Sequence, residues 1–405
     1  MAGPLEGIRV VECTQWVQGG TAGALLGDMG ADVIKVEPPI TGDPIRGWLK
    51  IGAAQTNVVE RNYYLELCNR SKRSITLNLR KQKGKDVFYS LIEKADIFLH
   101  NWRLGTPEKL GADYETISRY NPQIIYAEVS GWGTKGPIRE QAAYELAAMA
   151  RAGMLDMVAE PDSAPVIWPS GHGDTIGAIV AVAGILAALT ARERSGIGQK
   201  VDVSLLGSLI TVEAAQFYSW LLAGSPFPNR SRATMGNPLY THYRCADGAW
   251  ITLNMLEPDR YWSTFCRVMG IPELEHDPKF ATIQVRSQNS VELISILDRI
   301  FAAKPRTEWL RLFEEQGPSK LIYAPVQNVP EVANDPQVLA NQYVVDFEHP
   351  VFGPIKVTGM PYKFGRTPAE LTRAAPELGQ HTEEILLESG YTAQDIARLK
   401  EEEIL

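Results

Sequence analysis

The segment Pro169-Ser170-Gly171-His172-Gly173-Asp174 runs directly into an apolar, Ala/Gly-rich stretch that ends at Arg192-Glu193-Arg194. A carboxylate in such a place can attack an activated carbonyl and hold an acyl group as a mixed anhydride. Gly171 and Gly173 would let a substrate approach closely. A helix opening at Thr175 would favour the ionised acid and an oxyanion forming beside it. The plainer role is as concrete: an aspartate ahead of a helix commonly caps it through its side-chain oxygen. Local residue chemistry favours the cap, though one residue can do both.

Other side chains invite chemistry in the same way. Gln18 follows the first strand-like run, where an amide N–H could stabilise an oxyanion or simply hold a turn. Tyr144-Glu145 could supply an acid or base, or could be a buried helix start with a solvated carboxylate. His172 stands two residues from Asp174 and raises the question of a base, but acyl transfer through a carboxylate requires none. Arg46, Arg70, Lys72 and Arg73 form the main basic concentration. They suit phosphate oxygens, and also a solvated polar loop ahead of a strand. The four cysteines are scattered without a CxxC, and the six histidines show no ligand spacing, so no metal is expected.

These residues need elements to position them. The chain alternates between a strand over Ile8–Glu12, a Gly-rich loop at Gln18-Gly19-Gly20, a helix over Thr21–Met29 and a strand over Val33–Glu37. Strands over Ser74–Leu79, Asp96–Leu99 and Ile124–Val129 continue the pattern, with helices over Lys85–Lys94 and Asp113–Tyr120. Alternation of this kind predicts an α/β fold, a parallel sheet with helices on both faces. Ligands bind such sheets in the loops at the carboxyl ends of the strands. Those loops are Thr14–Gly20, Pro38–Trp48, His100–Leu104 and Ser130–Pro137. A long helix over Thr175–Arg194, a strand over Val201–Ser204 and a helix over Leu205–Leu222 follow. Composition then shifts at the Pro/Gly-rich stretch Ala223–Arg230 near Pro226, a domain boundary. Beyond it an Asp247-Gly248 turn joins two strands, helical segments follow, a helix is possible from near Val332, and the last sixty residues mix short strands with a terminal helix over Ala393–Glu403.

At 405 residues the chain is long for one core and suits two or three substructures. Its net charge of −8 argues against nucleic acid or an anionic membrane surface as the main partner, while allowing a local basic pocket. The longest apolar stretch, Ile176–Ala191, is Ala/Gly-rich and short for a membrane span, so a buried helix is expected. Met1–Arg9 shows no basic region followed by an apolar core, and a cytoplasmic protein is expected. Strand, Gly-rich loop, helix and a strand ending in Glu37 also outline a dinucleotide-binding unit, the basis of an NAD(P)-dependent oxidoreductase alternative. Gly19, Gly20 and Gly23 read G-G-x-x-G, however, and not G-x-G-x-x-G.

Several blocks resemble, in order and spacing, the class III CoA-transferase family. They are Leu5–Glu12, Gly30–Pro38, Gly42–Gly47 and Asn69–Ile75, then Gly173-Asp174, Gly184–Leu189, Gly196–Ser204 and Cys245–Gly248. That family includes formyl-CoA, crotonobetainyl-CoA and benzylsuccinate CoA-transferases and the α-methylacyl-CoA racemases. The resemblance covers nearly the whole chain. It implies a large Rossmann-like domain over 1–224 that binds CoA and carries the nucleophile. A small α+β domain over 225–328 follows, and a return segment over 329–405 completes the large domain. It also implies an interlocked dimer, here a homodimer or a heteromer with a paralogous subunit.

The implied reaction moves CoA from an acyl-CoA donor to a free carboxylic acid, through an aspartyl mixed anhydride and an enzyme–CoA thioester. Asp174 falls on the family's nucleophile, and Gln18 on the amide near the thioester or anhydride. Tyr144-Glu145 falls where formyl-CoA transferase also carries Tyr-Glu and where the racemases carry His-Asp. A racemase, or an isomerase that shifts CoA within one molecule, is therefore the same-family alternative. CoA contacts are implied for Val17, Gly19, Arg46, Arg73, Leu77, Arg80, Asn101, Trp102, Lys109 and Leu110, with Trp102 able to stack on adenine. Two departures matter: a family arginine is Pro38 here, and a lysine before the Tyr-Glu pair is Ala142. Some phosphate contacts must then come from elsewhere. Neither a metal nor a nicotinamide is expected. The acyl group is not readable, and Trp16, Trp102, Trp132, Trp168, Met235, Tyr240 and Tyr243 are candidate walls of its pocket.

Overall fold

Strands that are apolar on both faces pair in parallel and need helices on either side. The computed structural model describes residues 3–47, 50–51, 54–55, 57–58, 61–225, 231–317 and 320–405. Its central sheet is built from β1 (Arg9–Cys13), β2 (Asp32–Glu37), β3 (Lys72–Thr76), β4 (Ile97–His100), β5 (Ile125–Ser130) and β6 (Gln199–Ser204). The order is β6-β5-β4-β1-β2-β3, with every neighbouring pair parallel. Direction of travel across the sheet reverses between β1 and β4. The loops leaving those two strands therefore flank the crevice where α/β sheets bind ligands.

The helices around this sheet include α1 (Gln18–Asp28), α2 (Tyr63–Asn69), α3 (Gln82–Ile92), α4 (Tyr114–Tyr120) and α5 (Glu145–Ala152). Then come α6 (His172–Ser195), α7 (Leu205–Val212) and α8 (Ala214–Ala223). Successive strand residues point to opposite faces, and each face has its own core. Val10, Val33, Ile97 and Leu99 join Ala22 and Leu26 of α1 and Ala178, Ala181 and Ile185 of α6. Val11, Ile34, Ile75 and Phe98 join Val87, Phe88, Leu91 and Ile92 of α3. Each such fully buried large side chain contributes roughly 1.5–3 kcal/mol relative to exposure.

The contacts divide the chain into two units. One comprises Met1–Met157, Val166–Phe227 and Asn341–Leu405, the other Val158–Pro165 and Pro228–Ala340. The second has its own core and a three-stranded antiparallel sheet of β7 (His242–Arg244), β8 (Trp250–Leu253) and β9 (Tyr323–Val326). The turn between β7 and β8 carries Gly248 at φ 80°, as an Asp-Gly connection requires. Pro325 lies in β9, an edge strand, where a missing N–H is tolerated. The division predicted from the sequence places the changes of domain at 224/225 and 328/329. The excursion Val158–Pro165 has no counterpart in it, because it carries no Pro/Gly-rich signal of its own beyond Pro161 and Pro165. Residues 226–230, and Trp48 of the second loop, lie outside the described residues.

Several expected bounds move. α1 begins at Gln18, so Gln18-Gly19-Gly20 is its first turn and not a loop. α6 begins at His172 rather than Thr175. β3 covers Lys72–Thr76 rather than Ser74–Leu79, which draws Lys72 and Arg73 out of the loop and into the sheet. The single helix expected over Leu205–Leu222 is two, α7 and α8, bent by 74° at Glu213. α6 is long and apolar enough to cross a membrane by length and composition, yet it packs on α1 and the sheet as a core helix.

Candidate active site

Amide N–H groups at the start of a helix lack intrahelical partners and need acceptors. At α6 the N-cap is Gly171, in the left-handed region at φ 97°, with no side chain to help. Glu145, the first residue of α5, supplies the acceptor from outside the helix. Its Oε2 accepts the N–H of Gly171 at 2.7 Å, and its Oε1 accepts those of Gly173 at 2.5 Å and Asp174 at 3.3 Å. Asp174 is therefore the third residue of α6 and does not cap it. The expectation that the helix start would favour ionised Asp174 fails for the same reason: Glu145 already answers that positive end. Burial, then the charge of Glu145, pushes the Asp174 carboxyl up to about 7.

Gly173 is small for a different purpose than expected. A Cβ there would lie 3.1 Å from Glu145 Cγ and 3.2 Å from Met149 Cγ, so its smallness serves the approach of α5. His172 is exposed, and its Nδ1 donates to the Pro169 carbonyl at 2.8 Å. It acts as a local brace of the turn.

Gln18 is only 7% exposed, and its Nε2 has no hydrogen-bond partner among the described residues. A Cβ on Gly177 of α6 would overlap that nitrogen. Residues three apart on a helix are neighbours on its surface, so the amide lies against the α6 face that also carries Asp174. A buried donor left unpaired costs about 1–3 kcal/mol and calls for an explanation such as an absent partner. Trp16, at φ 62°, turns its ring edge-on to Tyr144, with centroids 6.1 Å apart. Tyr144 is 65% exposed and caps α5, so the buried helix start considered for it is not found. The β1–α1 turn, the start of α5 and the start of α6 thus converge.

The glycines of α1 answer the dinucleotide alternative. A Cβ on Gly19 would meet Thr14, one on Gly20 would meet Cys68 of α2, and one on Gly23 would overlap Glu12 Oε2. They let α1 lie close on its own chain, which is a packing role and not a pyrophosphate cradle.

Residues 5–382 match the profile of CoA-transferase family III. The chain belongs to that family. It is 33% identical to a succinyl-CoA:glutarate CoA-transferase of Mus musculus, over 95% of this chain and 86% of the relative. It is 31% identical to a formyl-CoA:oxalate CoA-transferase of Streptomyces avermitilis, over 99% of both. Among solved structures, a CAIB/BAIF family protein from Brucella suis superposes with TM-score 0.85 at 30% identity, covering 96% of this chain and all of that one. This family III CoA-transferase is thus an enzyme whose substrate class is acyl-CoA.

The residues to which CoA contacts were assigned fall into three groups in this transferase. Gly19, Asn101 and Val17 gather at the β1/β4 crevice. Asn101 Nδ2 donates to the Gln15 carbonyl at 2.6 Å and its Oδ1 accepts the Gln15 N–H at 2.9 Å, while Val17 is buried as the N-cap of α1. Trp102, beside them, stacks one face on His100 at 5.3 Å. Arg80 and Lys109 are exposed and have free reach, with Leu110 half-buried against the core.

Arg46, Arg73 and Leu77 behave otherwise. Arg46 forms a two-pronged pair with Glu37, at 2.8 and 2.7 Å, and donates to the Pro376 carbonyl. Arg73 pairs with Asp32, Glu384 and Glu388. Leu77 is core. Of the neighbours in that basic concentration, Arg70 binds Asp28 and Lys72 binds Glu12. The expected phosphate cluster is therefore internally neutralised: β3 starts two residues early, taking Lys72 to the buried Glu12 and Arg73 to the part-exposed Asp32, Glu384 and Glu388. Of the candidate pocket walls, Tyr243 is fully buried in the second unit's core, and Trp132 and Trp168 pack on a cluster around Met149.

Sequence reasoning passed over Glu12, Lys35 and Asp43. All three are fully buried beneath the β1–α1 turn. For Glu12 and Lys35 the signal was present, as charged residues inside strand patterns that are otherwise apolar, whereas Asp43 lies in the loop after β2.

Proposed function

We propose that this enzyme transfers CoA between carboxylic acids by way of Asp174. The observation that carries the reading is the unpaired buried amide of Gln18, lying against the helix face on which Asp174 stands. An Asp174 oxygen attacks the thioester carbonyl, the C–S bond breaks, and the CoA thiolate leaves with the electron pair. The Gln18 N–H is the donor for the oxygen that becomes negative in that step. The thiolate then attacks the aspartyl carbonyl of the anhydride, releasing the donor acid and leaving CoA as an aspartyl thioester. The acceptor carboxylate attacks that thioester, and the thiolate leaves again. Its attack on the acceptor's carbonyl completes the new acyl-CoA and restores Asp174. No net proton is consumed.

CoA enters at the β1/β4 crevice, with its adenine against Trp102 and its phosphates toward Arg80 and Lys109. The racemase alternative is less well supported. Its acid and base must act from opposite sides of a carbon, whereas Glu145 is engaged by three backbone N–H groups. The protein is further read as an interlocked homodimer, since α8 buries none of its residues and exposes Tyr218, Trp220, Leu221 and Leu222.

Incubation with succinyl-CoA, acetyl-CoA or formyl-CoA, each with a panel of acids including glutarate and oxalate, identifies the preferred pair. Hydroxylamine or borohydride added during turnover should modify and inactivate the enzyme at Asp174. Full activity in Asp174→Ala would overturn the mechanism.

A further inference from the structure

We infer that Lys35, Asp43 and Lys72, joined through Glu12, are positioning residues for Gln18. The inference rests on the reading of Gln18 as the amide donor of the transfer step.

The turn Thr14–Gly20 has to hold a buried amide at one place while carrying Trp16 in a left-handed conformation, at φ 62°, that an aromatic residue rarely adopts. Three charged groups grip its backbone on both sides of Gln18. Lys35 Nζ donates to the Thr14 carbonyl at 2.9 Å, Asp43 Oδ1 accepts the Trp16 N–H at 3.1 Å, and Lys72 Nζ donates to the Gly20 carbonyl at 2.8 Å. These groups are in turn fixed to one another. Lys35 meets Asp43 Oδ2 at 3.0 Å and Glu12 Oε1 at 3.2 Å, and Lys72 meets Glu12 Oε2 at 2.7 Å. Thr14 Oγ1 donates to Glu12 Oε1 at 2.5 Å. Two ammonium and two carboxylate groups make a neutral set, contributed by β1, β2, β3 and the loop after β2.

A buried set of this kind is weak evidence for stability. Desolvating four ions roughly cancels their attraction, and well-packed apolar replacements are often as stable. What apolar side chains could not supply is the directed grip on two carbonyls and one N–H. That grip matters here because the start of α1 is rich in glycine and has little stiffness of its own. Gly23 is absent of side chain for the same set, since a Cβ there would overlap Glu12 Oε2.

The test is a charge-balanced change, Glu12→Gln with Lys72→Met, which removes one pair and the anchor on Gly20. It is made both in the native enzyme and in Gln18→Ala. The readouts are Tm, and kcat and KM with whichever of succinyl-CoA, acetyl-CoA and formyl-CoA the intact enzyme turns over fastest. The expected result is a Tm within a few degrees of native, kcat lowered roughly tenfold or more, and KM for the donor within about twofold. In the Gln18→Ala background the same change should cost less than about twofold more, because the two act through one group. A folded double variant with native kcat, or equal losses in both backgrounds, overturns the inference. Native kcat in Gln18→Ala alone would instead remove the reading of Gln18. Should the double variant fail to fold, the other charge-balanced change, Asp43→Leu with Lys35→Met, which removes the anchors on Trp16 and Thr14, is put through the same cycle with the same expectations.

Discussion

Glu145 accepts the backbone N–H of Asp174 at 3.3 Å, so the carboxylate that fixes the start of α6 also stands beside the carboxylate read as nucleophile. The two are coupled in opposite senses. The bond organises the helix turn on which Asp174 rides, and the charge makes Asp174 harder to ionise.

A pH profile follows from that coupling. An acid whose folded value is raised from 3.8 to about 7 is a nucleophile only above that range. The acyl-donor kcat/KM should therefore fall about tenfold per pH unit below about 7. Glu145→Gln removes one of the two causes and should move this acid limb to lower pH, while lowering the plateau because one amide acceptor is lost. An unmoved limb would separate Glu145 from the titration.

The same shift has a consequence for stability. The folded state holds the Asp174 proton more tightly than the unfolded chain, so through this group stability falls as pH rises from about 4 to about 7. Asp174→Asn abolishes that loss. Its Tm relative to the native enzyme should be higher at pH 8 than at pH 4, measured by calorimetry at both values.

Gly177→Ala tests the contact between Gln18 and α6. Alanine is better than glycine inside a helix by about 0.5–1 kcal/mol, which works in favour of the variant's stability. The added methyl nevertheless overlaps Gln18 Nε2 and must displace it. We expect kcat to fall roughly tenfold, equivalent to about 1.4 kcal/mol of barrier, with Tm little changed. Native kcat in a folded Gly177→Ala would mean that the amide does not act from this place.

The basic residues should divide by role. Arg73→Ala removes the partner of Glu384 and Glu388 and leaves Asp32 with Arg9 alone, and should lower stability by about 1–3 kcal/mol, less than a fully buried pair because its partners are part-exposed. Arg80→Ala and Lys109→Ala should instead raise KM for acyl-CoA without lowering Tm. Urea denaturation and steady-state kinetics on the three variants distinguish the two roles.

The exposed apolar face of α8 gives a test of assembly. If the enzyme forms the proposed dimer through this face, Trp220→Asp with Leu221→Ser should convert it to monomer, read by sedimentation velocity on both proteins. A native-like dimer in that variant would place the interface elsewhere.

Much of the scaffold was legible in local pattern. β-branched runs alternating with 3.6-residue periodicity specify a parallel α/β sheet, because each such strand needs cover on both faces. The ordered blocks around Asp174 specified the family and hence the reaction class. What the chain could not announce locally were partners distant in sequence. Asp174 looked like the cap of its helix, yet the N-cap is Gly171 and the acceptor for the first N–H groups is Glu145, 29 residues before Asp174. Lys72 and Arg73 looked like phosphate ligands, yet they meet carboxylates at Glu12, Asp32, Glu384 and Glu388.

The sequence by itself determined which elements form and which family chemistry they serve, since those depend on the type and spacing of near neighbours. Only the tertiary structure decided which charges are free for a substrate and which are bound to each other. That assignment depends on which side chains burial brings within about 3 Å, and a shift of two residues in where β3 begins was enough to change it.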